Sequence, residues 1–252
     1  MDLGLLFLCC AGFCGGFIDS VAGGGGLISL PALLAAGVPP HVALGTNKLQ
    51  SMCGTTCALF NFHRHAKVLW RIAAVGIPFS LAGSALGARL ALVVPAGVLG
   101  KLLVVILPPA AFFMFTSRHL IRPAYGERRT GAAFWLPTIA ACSIIGLYDG
   151  FFGPGTGTFL ILALVLFSKI PLINATATAK TFNLASNVAA FITFFIADSI
   201  DFRIGLAMAA ANIAGNLIGS HYAIKHGHDF IRRLLMVAVG LLFAYLVWKY
   251  YL

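Results

Sequence analysis

Four ionisable residues lie well inside apolar stretches of this chain: Asp19, Lys48, Asp149 and Lys180. They form two matching sets, an aspartate followed by a lysine in each half of the sequence. Two lysines facing lipid would together cost roughly 5–7 kcal/mol on insertion scales. They must therefore face a polar cavity or a partner, or lie near a helix end and snorkel to the interface. Lys48 is only seven residues into its apolar segment, so snorkelling stays open for it.

Each lysine leads a run of small polar residues. The first reads Thr46-Asn47-Lys48-Leu49-Gln50-Ser51 and then Thr55; the second holds Thr176, Thr178, Lys180, Thr181, Asn183, Ser186 and Asn187. On a helix Lys180, Asn183 and Asn187 share one face, and Lys48, Ser51 and Thr55 do the same. Such stripes can simply hydrogen-bond neighbouring helices, but a stripe led by lysine and present twice suits an anion pathway. The aspartates could balance a lysine, cap a helix or take up a coupling proton.

Four residues beyond each aspartate comes a glycine cluster: Gly23-Gly24-Gly25-Gly26 after Asp19, and Gly153-Pro154-Gly155-Thr156-Gly157 after Asp149. Serial glycine, or glycine with proline, stops a helix and frees backbone N–H groups. At membrane depth such groups are tolerated only in protein or beside a water-filled cavity. A helix beginning after the break would aim its positive dipole end and its N–H groups at an anion. The expected substrate-binding set is therefore Gly23, Gly24, Gly25, Gly26, Thr46, Asn47, Lys48, Ser51, Gly153, Gly155, Thr156, Thr178, Lys180, Asn183 and Asn187, with Asp19 and Asp149 as proton-coupling candidates.

The elements that must position these residues are apolar. The chain is 60% hydrophobic and 10% charged, with a mean hydropathy of +0.96. Soluble domains carry about 25% charged residues, so a soluble enzyme, a disordered tail and a nucleic-acid-binding module are excluded. The +10 charge comes from cations in short breaks between apolar runs, where they set topology. The six cysteines lie in apolar runs without zinc spacing. No Ser/His/Asp set, catalytic carboxylate pair, phosphate-binding loop or cofactor motif is visible, so an enzyme is not expected. His63 and His65 flank Arg64 in a short loop, where solvation is the expected role. The start, Met1-Asp2-Leu3-Gly4, lacks a basic stretch, so the first apolar run is expected to remain in place.

Hydropathy gives about eight segments, near 3–37, 41–62, 69–93, 96–117, 132–168, 171–197, 202–224 and 230–251. The first and fifth are too long for one plain span of about 20 residues, and each reads as two half-helices meeting at its glycine tip. The second half repeats the first. Gly16, Asp19, Gly23 and Gly25 recur as Gly146, Asp149, Gly153 and Gly155. Ala43, Thr46 and Lys48 recur as Ala175, Thr178 and Lys180, and the GxxxG pair Gly83/Gly87 recurs as Gly215/Gly219, a spacing that suits close helix packing. The expectation is an all-α polytopic membrane protein of two four-segment repeats, 1–117 and 132–252, joined by an arginine-rich loop, 118–131. If segments one and five return as hairpins, Arg64, Lys67, Arg71, the four loop arginines, Lys169, Lys225, Arg232 and Arg233 share one face. Only Arg89, Lys101, Arg203 and Lys249 then fall on the other. The positive-inside rule favours that arrangement, which also inverts one half relative to the other. Duplicated, broken-helix halves are a mark of secondary transporters.

The motifs Gly16-Phe17-Ile18-Asp19-Ser20-Val21-Ala22 with four glycines, Ala43-Leu44-Gly45-Thr46-Asn47-Lys48-Leu49-Gln50, Gly146-Leu147-Tyr148-Asp149-Gly150-Phe151-Phe152-Gly153-Pro154-Gly155 and Ala175-Thr176-Ala177-Thr178-Ala179-Lys180 together resemble the sulfite exporter TauE/SafE family, over nearly the whole chain. The resemblance implies a multi-pass transporter of the bacterial cytoplasmic (inner) membrane. Its partners would be the lipid bilayer and a small oxyanion or organosulfonate such as sulfite or thiosulfate, with protons as a coupling ion; it implies no nucleic acid, metal or cofactor. An uncoupled anion channel, or a non-transporting membrane partner subunit, is the alternative.

Overall fold

The structure is a computed structural model that describes residues 3–65, 67–116 and 131–226; residues 118–130 of the connecting loop and the eighth apolar segment lie outside them. The described residues form helices α1 (Leu3–Ala22), α2 (Gly26–Ala35), α3 (Pro40–Arg64), α4 (Trp70–Val93), α5 (Ala96–Thr116), α6 (Ala132–Phe151), α7 (Thr156–Leu166), α8 (Leu172–Ile196) and α9 (Phe202–His226). Five of them, α1, α4, α6, α8 and α9, contain stretches long and apolar enough to cross a bilayer. α3 is as long as α8 at 25 residues, but its Asn47–Thr56 region is too polar for it to join them.

Segments one and five divide differently from the expected equal halves. The break in each comes after a 20-residue helix, which at 1.5 Å per residue spans about 30 Å, a full hydrocarbon core. Only the second piece is short, 10 residues in α2 and 11 in α7. The short helices turn back. Ser168, just past α7, hydrogen-bonds Thr138 near the start of α6 at 2.8 Å, and Gly15 in α1 stands beside Gly25 and Ser29. α3 and α8 then start alike, behind Pro39 and Pro171, whose fixed φ suits the position before a helix.

The principal contacts join early helices to late ones. α1 lies along α9 and α4 along α6, while α3 packs on α9 and α8, and α4 on α8. The glycines make this closeness possible. A side chain on Gly83 or Gly87 would strike the α6 backbone at Ser143 and Leu147, and one on Gly215 or Gly219 would strike α1 at Phe13 and Phe17. Without a hydrophobic drive between helices in lipid, such backbone approach is what holds them together. The polar faces of α3 and α8 are thereby enclosed at the centre of the bundle.

Candidate functional site

Both lysines are 1% exposed and rank among the largest fully buried side chains, so neither snorkels. Each is neutralised by the aspartate of the opposite stretch of chain. Lys48 Nζ on α3 lies 2.9 Å from Asp149 Oδ1 on α6, and Lys180 Nζ on α8 lies 2.7 Å from Asp19 Oδ2 on α1. Lys180 also donates to the Asp19 backbone carbonyl. A buried charge is tolerable only with a partner and further hydrogen bonds. Asp149 accepts from the Thr156 hydroxyl at 2.8 Å and from the Ser186 hydroxyl; Asp19 accepts from Thr55 at 3.3 Å.

The two glycine breaks touch. Gly23 has φ +77°, and Gly153 and Gly155 have φ +91° and +82°, values that only glycine adopts without strain. Gly23 O accepts from Thr158 N at 3.3 Å, and Ala22 O from the Thr158 hydroxyl at 2.6 Å. Neither α2 nor α7 has a side-chain cap at its start, leaving first-turn N–H groups free of side-chain competition.

Between the breaks and the polar faces lies a cavity of about 20 Å³, room for roughly one water. It is lined by Asp19, Gly23, Gly26, Asn47, Lys48, Ser51, Asp149, Gly153, Asn183 and Asn187, every one of which the sequence marks as a candidate. The remaining candidates do not line it. Lys180 is screened by Asp19. Gly24 accepts the first backbone bond of α2 and Gly25 packs on Gly15; Gly155 faces Ala110 and Phe159; Thr156 holds Asp149. Thr46 and Thr178 precede their lysines by two residues, about 200° round the helix, and so point elsewhere. Each accepts from a loop amide instead, Asp201 N at 2.9 Å and Leu69 N at 3.1 Å.

The binding set omits four polar residues whose side chains bond the side chains of site residues. Ser186 and Thr55 sit on the stripes and hold the aspartates. Gln50 Nε2 donates to Asn47 Oδ1 at 2.9 Å, and Ser29 of α2 donates to the same oxygen at 2.7 Å. Helical spacing could have found the first three; no pattern singles out Ser29 in its apolar helix.

A bundle of membrane-length helices enclosing a small cavity between neutralised charges has the form of a membrane transporter. The chain belongs to the sulfite exporter TauE/SafE family, whose model matches residues 8–246. Among its relatives is the "Probable membrane transporter protein ORF9" of a Sinorhizobium species, 39% identical over 92% of this chain and 88% of that protein. A "Probable membrane transporter protein" of Haemophilus influenzae is 37% identical over 98% of this chain and 97% of its own length. The "Probable membrane transporter protein YfcA" of Escherichia coli is 35% identical over 98% and 90%. No solved structure matches the chain.

Proposed function

We propose that this transporter exports small sulfur-containing anions, such as sulfite, thiosulfate or organosulfonates, across the bacterial cytoplasmic membrane, and that it does so by proton-coupled alternating access. The observation that carries the reading is the pair of buried lysines, each neutralised by an aspartate from the other half, around a cavity between two helix breaks. Each ion pair has no net charge, so an entering anion must take the place of a carboxylate at a lysine. Protonation of Asp19 or Asp149 releases the lysine for it, which links anion and proton. Asn47, Ser51, Asn183 and Asn187 supply the remaining hydrogen-bonding groups, and Gly23, Gly26 and Gly153 let the backbone come close. The substrate class rests on the family's description as sulfite exporters.

In this reading the halves are inverted repeats, 1–117 and 132–252, linked by 118–131. Paired contacts between residues 130 or 132 positions apart support it: Lys48–Asp149 with Lys180–Asp19, and Thr46–Asp201 with Thr178–Leu69. The hairpin return of α7 favours the topology with most cations on the cytoplasmic side. A cavity with room for roughly one water favours a transporter over an open channel.

The test is flux of labelled sulfite, thiosulfate and sulfoacetate in proteoliposomes. Saturable flux that responds to a proton gradient, and that is lost in folded Lys48→Ala and Lys180→Ala variants, is expected. Normal flux in both variants would sink the lysine site.

A further inference from the structure

The two ion pairs occupy corresponding positions but are not equivalent. Asp149 is held by Lys48, by Thr156 at 2.8 Å and by Ser186, and its side chain is 2% exposed. Asp19 is 15% exposed. Among the described residues, its side-chain support besides Lys180 is the Thr55 hydroxyl at 3.3 Å, long for an O–H···O bond, and that hydroxyl is shared with Asn183 Oδ1 at 3.4 Å. The difference is written in the sequence. At the offset of 132 that relates the lysines, Ser186 corresponds to Gly54, and at the offset of 130 that relates the aspartates, Thr156 corresponds to Gly26. A side chain on Gly54 would collide with Asn212 and Asn216 of α9, so no hydroxyl can stand there. Both aspartates line the cavity, and the lysines differ: Lys48 lines it, whereas Lys180 stands behind Asp19.

We propose that Asp19 alone is the exchanging carboxylate. It leaves Lys180 when the anion arrives and takes one proton from water at its exposed edge, while Lys48–Asp149 stays closed as a fixed strut. Lys180 keeps its own protons and donates to the anion, whose charge replaces that of the carboxylate. This inference rests on the anion-transport reading above. Among the described residues, the charged groups facing Asp19 are Lys180 from α8 and, across the cavity, Lys48 from α3 and Asp149 from α6. α2 and α7 carry no titratable residue. On α9, Tyr222 packs on Phe17, and His221 lines a surface groove with Arg64.

The experiment measures thiosulfate binding to the purified full chain against pH; thiosulfate stays fully ionised near neutral pH. The dissociation constant should rise about tenfold per pH unit wherever Asp19 is ionised in the free protein and protonated in the complex, with one proton taken up per anion. Asp19→Asn should bind thiosulfate without that slope, and Ser186→Ala should keep it. A slope surviving in Asp19→Asn, a slope lost in Ser186→Ala, or two protons per anion would overturn the assignment. Should Asp19→Asn not fold, infrared difference spectra on adding thiosulfate decide instead. The carboxylic acid band should move in Asp19→Glu and not in Ser186→Ala; the reverse overturns it. Binding with no pH slope in the wild type refutes this inference alone. No binding of thiosulfate, sulfite or sulfoacetate at any pH removes the transport reading and this inference with it.

Discussion

Gly23→Ala puts a methyl group where the two breaks meet. Gly23 has φ +77°, and its added carbon would stand 2.6 Å from Gly157 Cα and from Thr158 N, both backbone atoms that cannot turn aside. The left-handed backbone costs a residue with a side chain about 1–2 kcal/mol. Forcing the breaks apart adds roughly 1–3 kcal/mol of overpacking, and loss of the Thr158 N–H bond to Gly23 O about 1 kcal/mol more. A total of about 3–6 kcal/mol corresponds to a fall in melting temperature of roughly 10–20 °C for a chain of this size. Gly37→Ala is the control: it too has positive φ, +89°, but among the described residues nothing lies within 4 Å of the added carbon, so strain alone should cost it only a few degrees. The assay is thermal unfolding of detergent-purified variants followed by size-exclusion fluorescence. If Gly23→Ala melts within about 2 °C of the wild type, or no lower than Gly37→Ala, the contact between the breaks is not what the structure indicates.

Two further outcomes follow from the site. Lys48→Met keeps the volume but strands Asp149, a loss of roughly 3–5 kcal/mol, and adding Asp149→Asn should restore most of it; equal melting of the single and double variants would contradict the pairing. Thr178→Val removes the acceptor for Leu69 N, costing about 1–3 kcal/mol, yet should leave the KM for the transported anion unchanged, because this hydroxyl holds a loop; a raised KM would return Thr178 to the binding site.

The cavity-lining residues are legible in the sequence because cost in a bilayer makes them conspicuous. An aspartate, a lysine, an Asn/Ser stripe and a run of glycine have few places to be inside apolar segments. Which candidates face inward is less legible. Thr46 and Thr178 have the right chemistry and the wrong angle, which their two-residue spacing from the lysines already implies; what the spacing does not give is the loop amide each one holds. The partner of each lysine is not legible at all. Asp19 and Lys48 are neighbours in the chain, and nothing in their spacing says that each pairs with the distant half. The lengths of the broken pieces escape for another reason: glycine marks where a helix stops, whereas a half-span or a full span depends on where the apolar run began.

The crossed pairing has a consequence for how the protein is made. Lys48 emerges from the ribosome about a hundred residues before Asp149, which at 5–20 residues per second is roughly 5–20 s. Throughout that interval the first half sits in or beside the insertion machinery with an ammonium and a carboxylate that have no native partners. Membrane insertion of this chain is thus a wait for the second half, and the first half made alone should be a substrate for quality-control proteolysis, rescued when residues 132–252 are supplied as a separate polypeptide.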